Sequence, residues 1–279
     1  MLRKLLKYDF KSIIKLWFIL SITVFALSFP IGYGMRVYNS PREIPLGLDI
    51  SLQLGMTVLI FGLFAYVLLT GILIFKRFYK NFFTDEGYLT FTLPAQRKQL
   101  LFSKVLFGTI SYSCTIFIFL ATLINLICVS TNTPFITMND IKELIDILNL
   151  QFGLGTGVSV LYIVGLLLEI IALFVLANCI SVVFLYLCIT IASIIAKKNK
   201  VLTAVGIYYL SNSVLAFIIM IFSLFGISSV LFWASELNDK QTNLFILLAL
   251  LLIFLFLATI LSVLYFIIYR LIDKKLNLA

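Results

Sequence analysis

Residues 158–196 read VSVLYIVGLLLEIIALFVLANCISVVFLYLCITIASIIA, a run in which Glu169 is the single charge. About 20 apolar residues suffice to cross the hydrocarbon core of a bilayer. A straight helix over this run would reach about 58 Å, against a core of about 30 Å. It must therefore project beyond the bilayer, tilt strongly or break. Working outward, segments of the same kind recur near 16–34, 55–75, 105–129, 202–226 and 244–269, with the span inside the quoted run placed at 158–180. The expectation is an all-α polytopic membrane protein with six transmembrane helices. It is a single transmembrane domain over 1–279: an interfacial helix at 1–15, spans 1–2 over 16–75, a cytoplasmic loop at 76–104, then spans 3–6 and a short tail over 105–279.

Composition agrees with that reading. Hydrophobic residues make up 62% of the chain and charged residues 12%, with mean hydropathy +1.15. A soluble domain carries roughly twice that charged fraction. The net charge of +9 could suggest a nucleic-acid partner, but the placement of the charges argues for none. With the N-terminus inside, segments 1–15, 76–104, 197–201 and 270–279 hold 17 of the basic residues and the outer segments hold 4. This asymmetry is the positive-inside pattern. It places both termini in the cytoplasm and points the basic excess at anionic lipid of the inner leaflet. The basic start lacks the short apolar stretch and small-residue site of a cleavable leader. Cys114, Cys128, Cys179 and Cys188 sit in apolar runs without a C-x-x-C pair, and histidine is absent. The cysteines read as small buried hydrophobes, and no metal site is expected.

Two shorter segments are amphipathic. Leu2, Leu5, Leu6, Phe10, Ile13, Ile14 and Trp17 recur at helical spacing, with Arg3, Lys4, Lys7, Lys11 and Lys15 on the other side. This pattern suits a helix lying in the inner headgroup region; the plainer reading is a basic flank of the first span. Beyond the third span, Ile141, Leu144, Ile145 and Leu148 fall on one face of a helix over Asp140–Leu150, with Thr137 and Asp140 resembling a capping box. Gly226, Ser228 and Ser229 suggest a kink or a re-entrant piece near the outer end of the fifth span.

The longest cytoplasmic loop is the informative one. Residues 83–104 read FTDEGYLTFTLPAQRKQLLFSK. A loop that only joined two spans could be much shorter. Pro94 suits the first turn of a helix leading into the third span, and Asp85 and Glu86 suit the N-terminal turn of a shorter helix before it. Tyr88, Leu89 and Phe91 have no evident apolar home within one loop, so they imply a partner groove or the membrane surface. The plainer reading is a solvated connector.

This segment resembles permeases of the ABC type-2 exporter family, in the branch common among Gram-positive bacteria. Those proteins carry an acidic-Gly stretch between the second and third spans, then apolar residues, a Pro, a basic cluster and Gly/Ser-Lys. Glu86-Gly87, Leu89, Leu93-Pro94, Arg97-Lys98, Leu100-Leu101 and Ser103-Lys104 follow that order. The resemblance covers about 20 residues in wording, and the six-span layout matches over the whole chain. It implies that the loop is a coupling helix docking on a separate ATPase subunit, present in two copies. Asp85, Glu86, Gly87, Tyr88, Leu89, Phe91 and Pro94 would then lie in or beside the contact, and Arg97 and Lys98 would face ATPase carboxylates or lipid phosphates. It also implies a second permease copy or paralogue, a bacterial plasma-membrane location and export as the direction.

The residues agree with that division of labour, because the chain has no G-x-x-x-x-G-K-[ST] phosphate loop. ATP and Mg would belong to the partner, with no cofactor on this chain. Gly153, Gly155 and Gly157 lack a following Lys and suit a flexible lead into the fourth span.

Within the membrane, Glu169 and Asn212 are expected at similar depth on antiparallel neighbours. A charge at mid-membrane costs roughly 2.5–3.5 kcal/mol on insertion scales. The pair either lines a translocation path or makes an interhelical hydrogen bond, worth about 0.6 kcal/mol on average. Three function classes follow. The first is a permease subunit for a hydrophobic or amphipathic cargo such as a peptide, lipid or drug. The second is an ATP-independent carrier, a channel or a sensor without cargo. The third is an intramembrane enzyme, disfavoured by the lack of histidine and of paired catalytic groups, so no catalytic residue is assigned.

Overall fold

A computed structural model describes residues 2–38, 46–84, 87, 97–131, 160–196, 199–235 and 239–275. Every described element is a helix: α1 (Leu2–Tyr38), α2 (Leu46–Phe83), α3 (Arg97–Thr131), α4 (Val160–Ile195), α5 (Lys200–Ser235) and α6 (Asp239–Lys275). All six are long and apolar enough to cross a membrane. Helix is what such sequences must form, because lipid offers no partner for a free N–H or C=O. Hydroxyls inside the spans obey the same constraint by bonding back to their own helix, as Thr70 does to the Tyr66 carbonyl, Thr109 to Val105 and Thr190 to Tyr186.

The chain divides into two compact units, Met1–Ile141 and Lys142–Ala279. In the first, α1 runs parallel to α3 and antiparallel to α2. Phe10 meets Phe107 edge-on at 5.0 Å, Trp17 Nε1 donates to Thr115 Oγ1 at 2.9 Å, and Asn125 Nδ2 donates to Ser28 Oγ at 2.7 Å. Between α1 and α2, Ser21 Oγ and Tyr66 OH share a bond of 2.8 Å. Around these rungs Val24, Ile31, Leu59, Leu63 and Tyr66 form a buried core, packed by Leu20, Met56, Ile118 and Leu123. Close approach needs small residues. A Cβ on Gly32 would stand 3.0 Å from Val129 Cβ and 3.2 Å from the Leu126 carbonyl oxygen. Phe61, Phe64 and Phe117 point outward, as side chains solvated by lipid do.

In the second unit, α4 packs on α5 and α6 around Val183, Tyr186, Ile189, Ala192, Ala204 and Ile268. The α4–α5 hairpin closes through Asn199, whose φ of 59° is left-handed; asparagine tolerates that region better than most residues. Asn199 then starts α5 by accepting from the Thr203 amide and hydroxyl.

Two local expectations change and one is narrowed. The amphipathic start is helical with Arg3, Lys4, Lys7, Lys11 and Lys15 all exposed, but it continues without a break into the first span. Its apolar face packs on α3 through Phe10 and Trp17. Of the three outcomes open to the 158–196 run, projection and tilt remain and the break does not, since α4 is one helix to Ile195. Nor does α5 break at Gly226–Ser229, being one helix to Ser235. The expected helix at Asp140–Leu150 and the glycines at 153–157 lie outside the described residues.

Candidate functional site

The loop between α2 and α3 is held at its stems by one buried carboxylate. Asp9, two turns into α1, is 1% exposed. Lys104, two turns into α3, donates from Nζ to both Asp9 oxygens at 2.6 Å. Arg77 and Asn81, in the last two turns of α2, donate to Asp9 Oδ1 from Nε at 2.9 Å and from Nδ2 at 3.4 Å. The three helices that flank or underlie the loop thus share a single anion. Side-chain exposure is 5% for Lys104 and 23% for Arg77, so the lysine is shut off from solvent while the arginine keeps some access to it. Among the described residues, two cations meet this one carboxylate. Phe78, Phe82, Leu100, Leu101 and Phe107 at the same end of the unit are also buried. An ion pair is stronger in such a low-dielectric setting, and an unpaired ion there is costly.

The loop leaves α2 tightly. Thr84 Oγ1 donates to the Lys80 carbonyl at 2.6 Å, satisfying one of the last carbonyls of the helix. Gly87 is buried, and its amide donates to the Thr84 carbonyl at 2.7 Å. A Cβ at Gly87 would fall 2.9 Å from the Phe82 carbonyl oxygen, closer than real Cβ contacts come, so glycine lets the loop fold back on the end of α2. Of the other expected contact residues, Asp85, Glu86, Tyr88, Leu89, Phe91 and Pro94 lie outside the described residues. Arg97 opens α3 and Lys98 in its first turn is exposed.

Glu169 and Asn212 are not brought together. The hairpin sets Cys188 Sγ 3.7 Å from Ser211 Oγ, so Asn212 stands level with the region of Cys188. Glu169 lies roughly 19 residues earlier on α4, about 28 Å away along the axis. Counting depth from each span's apolar start sets them level; the register shown by the Cys188–Ser211 contact does not. Asn212 is exposed. Glu169 Oε2 and Asn178 Nδ2 are buried without a hydrogen-bond partner among the described residues.

Asp9 was the functional residue that sequence pattern passed over. It had a signal: it is the single acid among five basic residues in 1–15, set beside the apolar stripe rather than on the charged face.

These features define a six-span, all-α membrane protein whose second and third spans are joined by a loop with clamped stems. Compared with family models, with curated proteins and with solved structures, the chain matches none.

Proposed function

We propose that this chain is the membrane-spanning permease subunit of an ATP-driven exporter of the ABC type-2 kind. It would lie in a bacterial plasma membrane with both termini in the cytoplasm. The observation that carries the reading is the order of residues in the α2–α3 loop, from Glu86-Gly87 through Leu93-Pro94 and Arg97-Lys98 to Ser103-Lys104. The geometry at its stems suits this role. A docking loop transmits force only if its ends are stiff, and the Asp9 carboxylate ties both stems to α1. A push delivered to the loop would move the inner ends of three helices together.

ATP and Mg belong to the docked ATPase, present in two copies, and the permease pairs with a second copy or a paralogue. Cargo would cross between the two permease chains. A chain with few charged groups within its spans suits a hydrophobic or amphipathic cargo.

The test is isolation of the complex from its native membrane by a tag on this chain. An ATPase subunit should accompany the parent chain and be lost from a Tyr88→Ala/Phe91→Ala variant of unchanged thermal stability. Cargo movement by the purified chain alone in vesicles, without nucleotide, would instead make it a free-standing carrier. Reaction of the 84–96 loop with an impermeant reagent from the cell exterior would also end the proposal.

A further inference from the structure

We propose that the groove between α1 and α3 is a binding site for an acidic phospholipid. The groove has a volume of about 100 Å³ and is walled by Phe10, Ile14, Trp17, Phe107, Ile110 and Cys114. Its surface is almost wholly apolar, with room for a few methylene groups of one chain. Ile14, Ile110 and Cys114 are exposed at its rim, so it opens to the lipid.

The charge beside the groove selects the headgroup. On α1, Phe10, Ile14 and Trp17 follow one another at spacings of four and three. The same stripe continues toward the N-terminus at Lys7 and Arg3, again three and four residues apart, and both are exposed. Residues so spaced lie on one helix face. Along a single face, therefore, two cations give way to an apolar slot, in the order that a phosphate and its acyl chain require. Lys11 flanks the same face and is also exposed. None of the three pairs with a described carboxylate; Asp9, the nearest acid in sequence, is engaged by Arg77, Asn81 and Lys104. A neutral lipid would satisfy the slot and leave these cations unmatched. A soluble anion would satisfy the cations and leave the slot empty. An anionic headgroup with a chain answers both. The site does not depend on what the protein transports, or on whether it transports anything.

Trp17 lies in the groove and reports on it directly. The chain has two tryptophans, so Trp233→Phe leaves Trp17 as the sole emitter. In phosphatidylcholine vesicles, brominated phosphatidylglycerol should quench Trp17 at least about fivefold more effectively than brominated phosphatidylcholine, the ratio that about 1 kcal/mol from a single cation at a membrane surface already supports. Arg3→Gln/Lys7→Gln should bring the two lipids to parity while leaving quenching by brominated phosphatidylcholine unchanged. Cys114→Leu keeps the cations and fills the groove, and should lower quenching by the acidic lipid alone. Equal quenching by the two lipids in the Trp233→Phe protein overturns the proposal without any further variant. Undiminished selectivity in Cys114→Leu overturns it as well, because the attraction would then be a diffuse surface effect.

Discussion

Replacing Asp9 with asparagine keeps its shape and removes its charge. Lys104 would then lose both of its bonds to the Asp9 carboxylate at a site where its side chain is 5% exposed, beside a second cation. Breaking a buried ion pair by deleting one partner costs about 3–5 kcal/mol. The lower end applies here, because Arg77 is 23% exposed and can turn part of its charge toward water. A loss of about 3 kcal/mol in a chain of this size lowers Tm by roughly 6–12 °C. The assay is thermal unfolding followed by intrinsic fluorescence in detergent or nanodiscs. Trp17 stands two turns from Asp9 and is hydrogen-bonded to Thr115, so it senses the affected unit. Two comparisons isolate the cause. Lys11→Gln, on the exposed face, should change stability by less than about 0.5 kcal/mol. Asp9→Asn/Lys104→Met removes both members of the pair and should cost less than the two single changes summed, because each single change already breaks the same pair. Asp9→Asn within about 1 kcal/mol of the parent would refute the reasoning, and so would a double variant in which the two losses simply add.

Two further outcomes follow from the packing. Gly32→Leu should lower unfolding stability by about 1–3 kcal/mol, since even its Cβ would meet Val129 and the Leu126 carbonyl at 3.0–3.2 Å; an unchanged Tm would mean that α1 and α3 separate there at no cost. Glu169→Gln should be at least as stable as the parent, because Oε2 has no partner among the described residues and a neutral amide is easier to bury. If Glu169 lines the path, transport by the intact complex falls in the same variant, whereas a Tm several degrees lower would show that its carboxylate is bonded.

The number and positions of the spans were legible because hydropathy over 20 residues is a strong signal that needs no knowledge of contacts. The helix ends were less so. Hydropathy stops at the first charge, while the backbone continues through Lys76 and Lys80 on α2 and through Arg3–Lys15 on α1, since helix propensity is indifferent to whether lipid or water surrounds a lysine. Register was not legible. Counting from apolar boundaries sets Glu169 and Asn212 level, yet the pairing of α4 with α5, fixed by Cys188 beside Ser211, decides which side chains oppose each other. Nor was Asp9 legible as a site, because a carboxylate among lysines can make local pairs on its own helix. Its partners come instead from residues 68 to 95 positions away.

Asp9 also decides what the basic arm of α1 is for. A helix lying flat in the headgroup region would keep Asp9 in water, and no force would draw it under α2 and α3. Here the carboxylate is buried and the helix is straight through into the span. The arm is therefore part of the bundle, and its apolar stripe is shared between α3 and the bilayer. Its exposed cations, Arg3 and Lys7 in line with that stripe and Lys4, Lys11 and Lys15 to one side of it, are what remains to meet anionic headgroups. With the proposed lipid site, the same arm that anchors both stems of the α2–α3 loop would also touch the lipid. A change in headgroup charge at Arg3 and Lys7 would then be felt, through one helix and one carboxylate, at the place where the partner ATPase is proposed to dock.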